Sequence, residues 1–228
     1  MSKGLELYAK VEHLLGIEDA TDKLHHLFLS ELEEYSPKTL LDVGCGRGGF
    51  MKLMQEEGVR CVGIDKSEVM VSECQKQGLE AYKKTIDELD GSFDAIVSIF
   101  DVLNFFDENE LKSFLDSVAT KLNDGGVFIA DINSLYGFRD VAEGSMVNES
   151  EDEFLVVDAT YEDDQLLTTF TLFAKQNDNC YTKHQESLTQ YFHKTTAFIK
   201  HPELKLKQKQ PFSLYDTKDK VLLILQKV

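Results

Sequence analysis

The 228-residue chain has no tryptophan, only three prolines and four cysteines. The cysteines, Cys45, Cys61, Cys74 and Cys180, form no Cys-x-x-Cys pair, so free thiols in a cytoplasmic protein are the expectation. No apolar run approaches the ~20 residues needed to span a bilayer, so no membrane association is expected. The start, Met1-Ser2-Lys3-Gly4-Leu5-Glu6, passes straight into a charged helical pattern and shows no signal peptide. Positive charge is also scarce. There are 24 basic residues against 41 acidic ones, a net charge of −17. Nucleic-acid binding relies on lysine and arginine neutralising phosphates, so this balance argues against such a partner. The exception is the tail, where Lys200, Lys205, Lys207, Lys209, Lys218, Lys220 and Lys227 cluster; the alternation Leu204-Lys205-Leu206-Lys207 reads there as a half-exposed strand. No His/Asp/Glu cluster has metal-ligand spacing, so no metal is expected. A hydrophobic content of 42% is ample for one full core.

What is present is concentrated in Leu40-Leu41-Asp42-Val43-Gly44-Cys45-Gly46-Arg47-Gly48-Gly49-Phe50. A short apolar run ends in an acid, breaks into alternating glycines and restarts with Phe50, Leu53 and Met54 at helical spacing. This pattern predicts a buried strand, a tight turn and a helix opening. Alternate glycines permit positive φ and close approach of a ligand. The free N–H groups of the following helix suit an anion such as a carboxylate. Some twenty residues on, Arg60-Cys61-Val62-Gly63-Ile64-Asp65 reads as a second strand ending in an acid, placed to accept both hydroxyls of a ribose. Loop and acid together indicate a nucleoside ligand. The spacing Gly44-x-Gly46-x-Gly48 departs from the dinucleotide pattern, and Asp42 would repel a diphosphate while suiting an ammonium group.

From about Thr39 to Ile132 the chain resembles the class I S-adenosylmethionine-dependent methyltransferases, with the glycine stretch as their motif I and Asp65 as the acid ending their second strand. The resemblance implies S-adenosylmethionine as cofactor, S-adenosylhomocysteine as product, and binding through Asp42, Gly44, Cys45, Gly46, Gly48 and Asp65. Lys66 is a candidate adenine cover or a solvated lysine. In Lys84-Thr85-Ile86-Asp87-Glu88-Leu89, Thr85 falls where relatives carry an acid for the exocyclic amine and Ile86 falls beside the ring; Asp87 is an alternative acceptor or a helix cap. Phe100-Asp101-Val102-Leu103-Asn104 follows the fourth strand, where the methyl group should emerge. Phe100 is a candidate apolar wall, and Asp101 positions an acceptor amine, acts as a base or caps the next helix. There is neither an Asn-Pro-Pro-Tyr-like turn nor a Pro-Cys nucleophile. Tyr136, His184 and His193 are further catalytic candidates, as is Tyr191, each equally readable as a surface or packing residue. A small-molecule acceptor is the expectation; a protein or tRNA methyltransferase, or a non-catalytic binding protein, is the alternative.

The element pattern agrees with an α/β fold: a doubly wound, mostly parallel seven-stranded sheet ending in an antiparallel hairpin, with a small antiparallel β insertion. Residues 1–35 read as N-terminal helices, with Tyr8 a candidate lid residue or part of a core stripe. Residues 36–133 form the cofactor-binding core, and 134–193 the insertion of two or three strands shaping the acceptor site. Residues 194–228 hold the last core strands, after a helix cut short by His201-Pro202. Oligomeric state is not legible.

Overall fold

A computed structural model describes residues 3–176 and 180–228; the N-terminal segment and the insertion, as delimited from the sequence, therefore each extend outside the described residues. Alternation of strands and helices builds a seven-stranded sheet in the order β3-β2-β1-β4-β5-β11-β10. Its strands are β1 Thr39–Val43, β2 Arg60–Ile64, β3 Ala81–Tyr82, β4 Phe93–Ser98, β5 Leu122–Asn133, β10 Leu204–Phe212 and β11 Lys220–Lys227. β1 runs parallel to β2 and β4, and β4 parallel to β5. β11 is antiparallel to both β5 and β10. The reversal has a consequence for the site. Lys220, the first residue of β11, pairs with Asn133 at the carboxyl end of β5, so it lies at the crest where the parallel strands end.

Period-two alternation divides the core between the two faces. Leu41, Ile96, Phe128, Ala130, Val221 and Leu223 pack on one side, against helix α5 (Glu108–Lys121) through Leu111, Phe114, Leu115 and Val118. Leu40, Ala95, Val97, Ile129, Leu222 and Ile224 pack on the other, beneath α2 (Glu18–Glu33), α3 (Gly49–Glu56) and α4 (Glu68–Lys76). Ser67 caps α4 by accepting the Met70 N–H. Ahead of β10 stands a single turn of 3-10 helix, Thr195–Phe198, whose Phe198 is buried in the core.

The remaining strands form a separate four-stranded antiparallel sheet: β6 Gly144–Glu149, β7 Glu153–Glu162, β8 Gln165–Lys175 and β9 Tyr181–Tyr191. It has one strand more than the sequence suggested. β6 escaped notice because its residues are almost all exposed or half-exposed, so no hydrophobic alternation marks it. One face of this sheet, with Leu155, Phe170, Leu172 and Leu188, packs against Leu7, Val11 and Leu14 of the N-terminal segment. Helix α1 (Lys3–Val11) therefore lies between the two sheets. No helix of the described residues is long and apolar enough to cross a membrane.

Candidate functional site

The turn after β1 is built on positive φ at Gly44 (78°), Gly46 (53°) and Gly48 (80°), conformations that L side chains rarely adopt. These glycines differ in their surroundings. A Cβ at Gly44 would lie 2.6 Å from Val102, and one at Gly48 2.3 Å from Leu79. One at Gly46 would meet nothing within 4 Å, so the loop opens there onto free space of the kind a ligand's main-chain contacts need. The Gly46 N–H donates to Asp65 Oδ2 at 3.1 Å, and the Ser67 N–H to Oδ1 at 2.8 Å. The acid ending β2 thus braces the glycine loop and the start of α4 together. Burial pushes its pKa above the usual carboxylate value despite these donors.

Asp42 is 2% exposed. Burial first, and then the charge of Asp65, push its pKa up to about 7. Among the described residues no cation pairs with this buried carboxyl, which fits the ammonium group expected there. The Cys45 side chain is buried beneath the loop, and its thiol and that of Cys74 both point at the Gly46 carbonyl (3.9 and 3.1 Å). Only the main chain of Cys45 is therefore suited to meeting a ligand.

The adenine-side candidates are less uniform. Lys66 is exposed, with its ammonium 5.0 Å from the Phe106 ring centroid, an arrangement intermediate between cover and solvated lysine. Thr85 forms a capping box with Glu88, its N–H and hydroxyl both donating to Oε2 (2.8 and 3.0 Å). Its hydroxyl retains lone pairs for an amine, but its proton is committed. Ile86 is buried against the core, and Asp87 is exposed and does not cap the turn.

The segment after β4 holds the site's least expected feature. Phe100 and Asp101 are consecutive non-glycine residues at φ 70° and 51°, a conformation costing ~1–3 kcal/mol at each residue. Asp131, wholly buried in β5, repays part of this: its Oδ1 accepts the Phe100 N–H at 2.6 Å and its Oδ2 the Asp101 N–H at 3.1 Å. The Lys220 ammonium bonds Asp101 Oδ1 and Asp131 Oδ2 (the latter at 3.2 Å) and lies 5.3 Å from the Phe100 ring centroid. Burial would lower the lysine's pKa, but the two carboxylates raise it above the ordinary value. Asp101 does not cap the following 3-10 turn; its second oxygen accepts from Gln190 of β9. Asn104, fully buried, donates to the Tyr191 carbonyl at 2.8 Å and accepts from the Asn133 N–H at 2.9 Å. The four-stranded sheet is thus pinned to the crest by side chains of this one loop.

The other catalytic candidates do not converge on the crest. His193 is buried, its Nε2 3.0 Å from the Phe106 carbonyl, with burial lowering its pKa: an anchor for the loop. His184 is exposed on β9, six residues before Gln190 and ~20 Å from it along the strand. Tyr136 is exposed and donates to Asp216 at 2.9 Å, which raises its pKa. The Tyr191 side chain is half-buried, and its main chain carries the contact. Tyr8 of α1, half-buried, packs edge-on against Phe170 with centroids 5.9 Å apart. Burial raises its phenol pKa, and the charges of Glu12, Asp101 and Asp65 raise it further. α1 is latched by Glu6, which accepts from Ser67 Oγ and the Glu68 N–H (both 3.0 Å). Arg47 completes the latch by bonding Glu12 and the Ala9 carbonyl (2.7 and 2.8 Å). Sequence reasoning missed Asn104, Asp131, Gln190 and Lys220. The available signal was a charge inside the apolar strand Val127–Ile132 and another heading the apolar run Val221–Leu225.

A family model described as a methyltransferase domain matches residues 14–195. A protein of Geobacillus sp. (strain WCH70), provisionally assigned as a methyltransferase, is 25% identical over 170 residues, 69% of each chain. The crystal structure of an S-adenosylmethionine-dependent methyltransferase from Clostridium acetobutylicum ATCC 824 superposes with a TM-score of 0.78 at 22% identity, covering 98% of this chain and 97% of that one. The S-adenosylmethionine-bound amino pentose methyltransferase of Micromonospora echinaspora gives 0.74 at 15% identity, covering 97% of each. The chain belongs to the methyltransferase-domain family, and its fold is that of the class I S-adenosylmethionine-dependent methyltransferases.

Proposed function

We propose that this S-adenosylmethionine-dependent methyltransferase acts on a small-molecule acceptor held between the crest of the seven-stranded sheet and the near end of β9. The observation that carries the reading is the junction itself, with Gln190 on Asp101 and Asn104 on the Tyr191 carbonyl, at the place where the methyl group should emerge. In this reading residues 1–35 cover the donor, 36–133 bind it, 134–193 shape the acceptor site and 194–228 complete the sheet. The relative from Micromonospora echinaspora, which acts on an amino pentose, supports a small polar acceptor. The net charge of −17 weighs against RNA or DNA, and unpaired buried thiols suit the cytoplasm.

Asp65 would take the ribose hydroxyls, Asp42 the ammonium group, and the main chain from Gly44 to Gly48 the aminoacid end. Ile86, Thr85 and Lys66 would border the adenine, and Phe100 the methyl end. The donor supplies a methyl group already activated by a sulfonium. The chain's own work is to bind, orient and exclude water, which can lower the barrier by ~7–11 kcal/mol. A base is needed only where the acceptor must lose a proton before attack, and Asp101 is the candidate that stands at the crest.

The test is transfer of radiolabel from S-adenosyl[methyl-14C]methionine to a panel of amines, amino sugars, alcohols and phenols, with tRNA and protein in parallel. Label is expected in a small molecule, and Asp65→Ala should weaken S-adenosylhomocysteine binding at least tenfold by calorimetry. Label confined to tRNA or protein would overturn the acceptor assignment, and unchanged affinity in Asp65→Ala the donor placement.

A further inference from the structure

We propose that Lys220 is a positioning residue for methyl transfer: by bridging Asp101 and Asp131 it holds the left-handed Phe100–Asp101 turn against the crest and, through Gln190, fixes the acceptor cover over it. The inference deepens the reading above and rests on it for the word transfer; the turn it describes is measurable without any acceptor.

The geometry is a closed circuit. The successive main-chain N–H groups of Phe100 and Asp101 converge on one carboxylate, Asp131, which accepts one on each oxygen. Two carboxylates, Asp101 and Asp131, then stand together in the interior, and a buried like-charged pair needs a cation between them. Lys220 is that cation. It is 2% exposed and touches one oxygen of each acid. Its ammonium also sits by the Phe100 ring, at 5.3 Å from the centroid, so the same residue sets the apolar wall. The second Asp101 oxygen is left to Gln190, so the position of β9 is referred to the same cation. A lysine serving only sheet stability would not need both acids, since the flanking Val221–Leu225 run already buries that strand.

The experiment is hydrogen exchange read by mass spectrometry on the full chain, free and with S-adenosylhomocysteine, for the parent, Lys220→Met and Gln190→Leu. For Lys220→Met, exchange should rise at least tenfold in residues 99–106 and 187–192, while peptides from β1, β4 and β11 exchange as in the parent. Gln190→Leu should loosen 187–192 alone. With any acceptor that the parent turns over, Lys220→Met should lower kcat at least tenfold with KM for S-adenosylmethionine changed less than threefold. Unchanged exchange at 99–106, or loosening spread over β5, β10 and β11 alike, would overturn the proposal and leave a structural lysine. If Lys220→Met does not fold, Lys220→Arg decides: parental exchange at 99–106 supports a cation bridge, and loosening there with Gln190→Leu silent overturns it. Failure of the parent to bind S-adenosylhomocysteine would instead strike at the donor reading, leaving the exchange result standing.

Discussion

At the scale of single residues, Asp42 is where burial and charge make a measurable prediction. Its carboxyl titrates near 7 in the free protein because of burial and the Asp65 charge, against about 3.9 in an unfolded chain. The folded state therefore holds the proton more tightly, and this residue's contribution to stability declines as pH rises from about 4 through 7. A ligand ammonium favours the ionised form and must expel that proton below pH 7. Calorimetry should accordingly show S-adenosylhomocysteine binding about tenfold weaker at pH 6 than at pH 8, with Asp42→Asn weaker throughout and nearly flat in pH. A parental curve as flat as that of Asp42→Asn would remove Asp42 from the ammonium's surroundings. The glycines give a second test. Gly46→Val should fold and lose S-adenosylhomocysteine binding, because its side chain would enter free space at the mouth of the loop. Gly48→Val should lower the melting temperature as well, because its Cβ would run into Leu79 and Cys74. If Gly46→Val bound normally, the ligand would not lie over this loop.

At the scale of elements, α1 joins the halves of the site. A glycine inside an exposed helix normally gains about 1 kcal/mol on replacement by alanine. Gly4 should do the opposite, because a Cβ there would lie 2.4 Å from the Ser187 carbonyl of β9 and 2.7 Å from Leu188. Gly4→Ala is therefore expected to melt lower than the parent and to speed proteolysis of residues 3–14; a higher melting temperature would mean that α1 does not pack on β9. The glycine turn, the acids ending β1 and β2, and most core strands were legible in the sequence because each is a local pattern of period, turn residue and cap. The Lys220 network was not, because its members lie up to 119 residues apart and meet only through the reversed direction of β11. Thr85 was legible as a position and not as a partner: its capping bond to Glu88 is local, yet the motif alignment pointed elsewhere.

At the scale of the whole molecule, the four-stranded sheet is joined to the rest by the Asp101–Gln190 and Asn104–Tyr191 bonds, by the apolar face it shares with α1, by the His13–Glu153 and Asn148–Leu14 bonds, and by its own chain ends. Its first and last strands, β6 and β9, are the two edges of the sheet, three strand spacings or ~14 Å apart, so a Gly/Ser linker long enough to span that gap can replace residues 144–191. The core should survive the replacement, because both faces of the seven-stranded sheet are covered without it. The donor site should not be untouched. Leu7, Val11 and Leu14 would lose their apolar partners on the sheet, leaving α1 held chiefly by the bonds of Glu6 and Arg47. We expect circular dichroism to show a folded chain and S-adenosylhomocysteine to bind within about tenfold of the parent, since ~1.4 kcal/mol corresponds to a weakened cover more than to a lost ribose contact. Methyl transfer to the acceptor identified with the parent should disappear. A folded replacement that still methylates at the parental rate would show the four-stranded sheet to be peripheral. One that folds but no longer binds S-adenosylhomocysteine at all would show that the sheet serves the donor through α1, and the acceptor would then have to be sought elsewhere on the crest.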